Sequence, residues 1–357
     1  MNRKLRYSLL LLIVMIMGCF STVQAASSSS ENEEINVSEF VLEHLADAYE
    51  WHITTWNGKH ISVPLPVIVK GKDSGWHVFS SARFHEGNHE YNGFFLNPEH
   101  HHKIYERLHD GRVERPWDIS ITKNVAAIWL VVLLLSAIFL SCARWYKKRD
   151  AQSEAPKGFV GVIEMLVMTI HDDVIKASIG EKHYKRYAPY LLTVFFFIFT
   201  NNLLGLIPIF PGGANVTGNI NVTLFLALGT MLLVNLFGNK EYWKEILWPD
   251  VPIWLKIPPV MPLIEIFGIF TKPFALMIRL FANIMAGHAI ILSFTFVIFI
   301  TWQLSSTIGS IFTVFSTLLL IFLNCLELLV AFVQAYVFTL LSSVFIGLSL
   351  PEHHHEK

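Results

Sequence analysis

"TKPFALMIRLFANIMAGHAI", residues 271–290, lies in strongly apolar sequence yet carries Lys272, Arg279 and His288. A charged side chain deep in a bilayer is expensive and marks function by default. The surrounding apolar block runs over 257–304, and a second fills 305–350. Pro273 is the last proline before Pro351, so little in either block breaks a helix after it. A helix of that length spans roughly 65–70 Å at 1.5 Å per residue, against a hydrocarbon core of about 30 Å. No polar loop folds either block in two. The blocks therefore predict one long, strongly tilted helical hairpin turning around "TWQLSS" (301–306).

The rest of the chain agrees with this reading. Of its 357 residues, 53% are hydrophobic and only 15% charged, against roughly 25% charged in an ordinary soluble protein. A net charge of −1 gives no sign of a nucleic-acid partner. Spans are predicted at about 125–143, 187–206, 222–238, 260–300 and 306–348. The first ends in "RWYKKRD", a positive-inside signal that places the preceding segment outside. The loop "PIFPGGANVTGNI" has no Lys or Arg and belongs outside. Residues 157–186 read as an amphipathic helix on the cytoplasmic surface. The fold class is thus an all-α polytopic membrane protein with five membrane helices, N-terminus outside and C-terminus inside. Residues 119–350 form the membrane domain and 351–357 a cytoplasmic tail.

The N-terminus is different material. Residues 1–26 have a basic start, an apolar run and "VQA" before Ala26, as in a cleavable signal peptide. "IMGC" also fits a lipoprotein box with Cys19 lipidated, and either reading exports the adjoining segment. Residues 27–36 are a polar linker. Together with 37–118 they make an extracytoplasmic domain, small and mixed with a β-leaning character. Short alternating runs such as "ISVPLPVIVK" and "GWHVFSSARF" read there as strands. Ten of the sixteen histidines fall in 37–118, which raises the question of metal. "HEGNH" fits the H-E-x-x-H zinc-protease pattern at His85, Glu86 and His89. Gly87 and Asn88 are poor helix residues, however, so the pattern lacks its helix. No metal site is assigned, and solvated histidines are the expectation. Cys142 and Cys325 lie in apolar segments and predict no disulfide.

Helical spacing sorts the polar residues of the hairpin. Arg279 and Asn283 are four apart and share a face. Glu265 lies near the same face, about 21 Å away along the axis. His288, nine residues after Arg279, points to the opposite side. Glu327 and Gln334 are seven apart and share a face, about 10 Å apart. Histidine and glutamate can each take and release a proton near neutral pH when burial shifts them. Arginine stays protonated and cannot relay. It can instead attract a carboxylate and drive off its proton.

"KPFALMIRLFANIMAG" resembles the signature of subunit a of the F-type ATP synthase, through Lys272, Pro273, Arg279, Leu280, Phe281, Asn283, Ala286 and Gly287. "TNNLLGLIP" (200–208, with Asn202 and Pro208), "NINVTLFLAL" (219–228) and "LELLVAFVQAYVFTLL" (326–341) resemble other helices of that family, and the likeness covers roughly 155–350. The resemblance implies a non-catalytic, proton-conducting stator without a cofactor, partnered by the c-ring and the peripheral-stalk subunit b. It implies that Arg279 faces the ring carboxylate. It places His288, Glu327, Asn283 and Gln334 along the half-channels and the rotor interface, with Glu265 near the cytoplasmic half-channel. In the best-known bacterial pattern His288 and Glu327 are exchanged, which suggests that the two positions meet. Gly205 stands where some members carry an aspartate. Two other functions compete. An ion-coupled secondary transporter would show an internal repeat with paired broken helices, and none is visible. A membrane-anchored metal-binding ectodomain would need a real zinc site.

Overall fold

The computed structural model describes residues 46–56, 59–72, 74–85, 87, 89–98, 102–108, 110–149, 155–207, 210–248 and 260–350. The expected signal sequence, Cys19, the polar linker and the tail 351–357 lie outside the described residues. Two compact units emerge: 48–122, and 123–350 together with Ala46 and Asp47.

The first unit is built of strands, as its alternating runs predict. β1 (Glu50–Trp56) pairs with β2 (Lys59–Pro64). β3 (Pro66–Gly71) is central in a sheet of order β4-β3-β8, with β4 at Gly75–Ser80 and β8 at Trp117–Asp118. A third sheet orders β5 (Phe94–Asn97), β6 (Lys103–Arg107) and β7 (Val113–Glu114). Strand alternation sends Val67 and Val69 into a core with Tyr49, Phe84, Phe94 and Ile104. The Tyr49 hydroxyl donates to the Asp118 carboxylate, pinning the start of the unit to β8. Burial, then that carboxylate, pushes the Tyr49 phenol above its ordinary pKa. Residues 119–121 run on beside β3, since Ile119 and Ile121 donate backbone N–H to Ile68 and Pro66. This unit therefore reaches beyond Asp118.

The second unit is helical. α1 (Lys123–Lys148) is capped by Asp47, whose carboxylate accepts from the Asn124 N–H at 3.1 Å. Next come α2 (Phe159–Met168), a π-helical stretch Thr169–Lys176 and the single turn α3 (Ala177–Ile179). Ile170, Val174, Ile175 and Ile179 bury one side of this segment, while Asp173 stays exposed. The amphipathic pattern thus becomes a helix with one buried face. Apolar periodicity did not reveal the π-turns, a form common at functional positions.

α4 (Tyr184–Leu206), α5 (Ile220–Leu236) and the short α6 (Lys240–Leu247) come after it. α7 (Val260–Leu304) has 45 residues and α8 (Ser306–Ser349) has 44. Ser305 alone separates them, in extended backbone. Trp302 Nε1 donates to Thr313 Oγ1 at 2.9 Å across this turn. Gly309 lies so near that a Cβ there would be 2.9 Å from Trp302. Phe195 and Phe199 of α4 pack edge-on against Phe332 of α8. α4, α5, α7 and α8 share one apolar core that includes Leu191, Ala227, Leu280 and Ala335.

Among the described residues four helices are long and apolar enough to cross a membrane: α1, α4, α7 and α8. α5 is apolar but has only 17 residues, about 25 Å of helix. Large apolar side chains stand exposed along α1, α7 and α8, among them Trp129, Phe267, Phe315 and Leu329. In water such surfaces would associate, whereas in lipid they are solvated. The chain is a multi-pass membrane protein.

Candidate functional site between the two long helices

The polar residues of the hairpin separate into an inner and an outer set. The inner pair is His288 on α7 and Glu327 on α8, with Nδ1 and Oε1 3.0 Å apart. Glu327 is 5% exposed. The contact has the distance of a hydrogen bond but not its alignment, and neither carboxylate oxygen has a hydrogen-bond partner among the described residues. A buried carboxylate so placed is costly unless a positive partner or a proton compensates it. Two glycines border the pair. A Cβ at Gly287 would meet Glu327 Oε1 at 2.9 Å, and one at Gly205 of α4 would meet His288 Nε2 at 3.5 Å. His288 therefore bridges α4 and α8, one ring nitrogen toward each. Gly205 was noted in the sequence only for the aspartate it lacks. In the structure it borders the imidazole, and a Cβ there would be at ordinary contact distance from the ring.

Next to the pair, α7 and α8 enclose a cleft of about 290 Å³. Asn283, Glu327 and Gln334 line it, with Gly287 and apolar neighbours. Three of the residues singled out by sequence thus share one space.

Arg279 is elsewhere. It is exposed, on the same outward stripe of α7 as Ala275, Ile278, Ala282 and Asn283. Among the described residues no ion pair reaches it. It lies about 28 Å from the first residue of α7 by helical rise, deep within the apolar run. Lipid offers such a guanidinium no counter-charge. Asn283 joins the two sets, sharing the arginine's stripe and lining the cleft.

Glu265 and Lys272 form a third cluster one helical stretch earlier. Their side chains approach Gly268, to 3.9 and 3.8 Å of its Cβ position. The Glu265 charge also acts on Tyr242 of α6, whose phenol is raised first by burial and then by this carboxylate. Pro273 is buried and borders an apolar cavity against α5, with Ala227, Met231 and Phe274.

Asn202 has a different job. Its Nδ2 donates to the Ala331 carbonyl of α8 at 3.1 Å, and its Oδ1 accepts from Thr217 Oγ1 at 2.6 Å. It ties α4, α8 and the loop before α5 together. Sequence reasoning did not single out Thr217, nor the Thr230–Ser342 hydroxyl contact of 3.1 Å between α5 and α8. A hydroxyl in an apolar run bonds its own helix as readily as a neighbour, so spacing gave no signal.

Among the described residues, the helix that the zinc-protease pattern needs is not seen at His85. The 3₁₀ turn Ser81–Phe84 ends before it, and His85 takes left-handed backbone with φ 44°. The His85 and His89 rings meet edge-on at 5.0 Å, and Glu86 lies outside the described residues. Among the described residues no cluster of three or more His, Cys, Asp or Glu could hold a metal ion.

The family model described as ATP synthase A chain matches residues 125–347. The chain belongs to the ATP synthase A chain family. It is 46% identical over 246 residues to a protein named ATP synthase subunit a from Pelodictyon phaeoclathratiforme, covering 67% of this chain and 68% of that one. It is 48% identical over 242 residues to ATP synthase subunit a 2 of Chlorobaculum tepidum (65% and 64% covered). It is 40% identical over 244 residues to ATP synthase subunit a of Myxococcus xanthus (67% and 75%). Residues 40–122 match a separate family model described as a domain of unknown function (DUF8433). As a family member the chain is a component of an ATP synthase complex, and both the polar hairpin and the cleft fall within the matched region.

Proposed function

We propose that the chain is the proton-conducting stator subunit of the membrane sector of an F-type ATP synthase, itself without catalytic chemistry. The observation that carries this reading is Arg279: a permanent cation in apolar sequence, outward-facing and, among the described residues, without an ion pair. Such a charge needs a counter-charge from a partner, and a carboxylate carried past it by another subunit supplies one. Ala275 and Ala282 beside it let a partner helix come close. The partner in this reading is the c-ring, with the peripheral-stalk subunit b holding the stator.

Each group then has a part. A ring carboxylate turns through lipid only when neutral, since a charge there costs several kcal/mol. Opposite Arg279 it is driven to release its proton, because the guanidinium favours the charged form. Asn283, Glu327 and Gln334 line one aqueous path, and His288 passes protons between Glu327 and the α4 side at Gly205. Glu265, beside Tyr242, serves the other path on the cytoplasmic side. Arg279 stands between the two and blocks direct leakage. The lysine- and arginine-rich end of α1 sets the first helix pointing inward. Five crossings result with α5 counted, the N-terminal unit outside and the C-terminus in the cytoplasm.

The test is ATP-driven proton pumping in inverted membrane vesicles carrying Arg279→Ala, with assembly checked in parallel. Loss of pumping in an assembled complex is expected. Pumping at the wild-type rate would refute the assignment of Arg279 and of both paths around it.

A further inference from the structure

The β4-β3-β8 sheet of the N-terminal unit covers only one of its faces. Val67 and Val69 of β3 are fully buried, whereas Pro66 and Lys70, on the other side, are exposed. Register carries that second face across the sheet. Lys70 stands opposite Trp76 on β4 and Trp117 on β8, and Ile68 stands opposite Val78 and beside Ile119. Four large apolar side chains result on one surface: Trp76 is 57% exposed, Val78 72%, Trp117 76% and Ile119 59%. Single exposed apolar residues are ordinary, but a contiguous set marks a contact. Cations border it. The Lys70 ammonium lies 5.7 Å from the Trp76 ring centroid. Lys72 and Arg115 line a cleft of about 570 Å³ between the two tryptophans. Glu114 pairs with Lys72 at 2.7 Å, and Glu106 is occupied by the Lys72 N–H and the Ser74 hydroxyl.

We infer that this face is a lipid-binding surface: Trp76, Val78, Trp117 and Ile119 enter the headgroup boundary, and Lys70 and Arg115 meet lipid phosphate. Two observations select lipid over another occupant. Tryptophan beside cations is the chemistry of the membrane–water interface. The chain also tethers the face there. Only Ser120, Ile121 and Thr122 separate Ile119 from Lys123, where the first membrane helix starts. Four steps of extended chain reach at most about 14 Å. Ile119 is thus held within that distance of α1's first residue, whichever leaflet that is. The inference needs α1 in the membrane and nothing about proton transport.

The test uses the full chain in vesicles of phosphatidylcholine and phosphatidylglycerol. With the native cysteines replaced, Val78→Cys or Asp110→Cys carries a nitroxide label. Collision with lipid-soluble oxygen and with a water-soluble nickel chelate is then measured. Asp110, in the exposed turn between β6 and β7, reports water. The label at 78 is expected to favour oxygen over nickel at least several-fold relative to 110. Replacing Trp76 and Trp117, both exposed, with serine should abolish that preference. Nickel access at 78 equal to that at 110 would overturn the inference. Shielding of 78 from both reagents would also overturn it, in favour of a protein partner or a second copy.

Discussion

Nδ1 of His288 and Oε1 of Glu327 lie 3.0 Å apart, one on each of the two long helices, with the carboxylate buried. Removing one partner leaves the other buried without compensation, which costs about 3–5 kcal/mol for a buried pair. Exchanging them keeps both chemistries in the same contact. Glu327→Gln and His288→Ala are each expected to lower ATP-driven pumping at least tenfold. The double exchange His288→Glu with Glu327→His should recover part of it. Pumping and complex assembly, measured on the same vesicles, check this. A double exchange no better than the single changes would show that orientation, not pairing, matters.

Two glycines on these helices should respond differently to alanine. At Gly287 the new methyl would meet the tip of a side chain, Glu327 Oε1 at 2.9 Å. The carboxylate can move, but only away from its contact with His288, so Gly287→Ala should assemble yet pump poorly. At Gly347 the methyl would lie 2.2 Å from the Ser178 backbone carbonyl oxygen. Backbone cannot yield so cheaply, and overpacking costs about 1–3 kcal/mol. Gly347→Ala should therefore lower the thermal unfolding midpoint of the subunit in detergent.

Asn202 and Thr217 form one buried unit with the Ala331 carbonyl. Asn202→Leu strands a hydroxyl and a carbonyl, at about 1–3 kcal/mol for unsatisfied buried groups. Thr217→Val removes one partner of the same bond. The double variant should cost less than the sum of the singles, since part of the loss is shared. Thermal unfolding of the four proteins in one detergent measures the coupling, and strict additivity would break the unit apart.

Tyr49 gives the N-terminal unit a pH dependence. Its phenol is raised above its ordinary value by burial and by Asp118. A group whose folded pKa is raised contributes stability fully below its unfolded pKa, about 10 for tyrosine. That contribution falls as pH rises beyond about 10, because the unfolded chain ionises first. Proteolysis of residues 48–122 in the full chain should accelerate between about pH 10 and pH 11. Tyr49→Phe should be more susceptible at about pH 8 and less pH-sensitive above about pH 10.

Much was legible in the chain alone. Two apolar blocks without a polar loop to fold them in two read as two long helices, and a one-residue turn at Ser305 joins them. Spacing of nine placed His288 away from Arg279, and spacing of seven placed Glu327 with Gln334, because helical angle depends on sequence separation alone. The alternation around Val67 and Val69 announced strands for the same reason. What lies across from each residue was not legible. The meeting of His288 and Glu327 was suggested only by the family resemblance; that His288 also lies against Gly205, that Asn202 reaches Ala331 over 129 positions, and that Asn283 shares a cleft with Gln334 all depend on which helices pack together. The π-turns of 169–176 and the uncovered face of Trp76 and Trp117 were hidden too. Local spacing fixes the face of one element; only packing decides what that face meets.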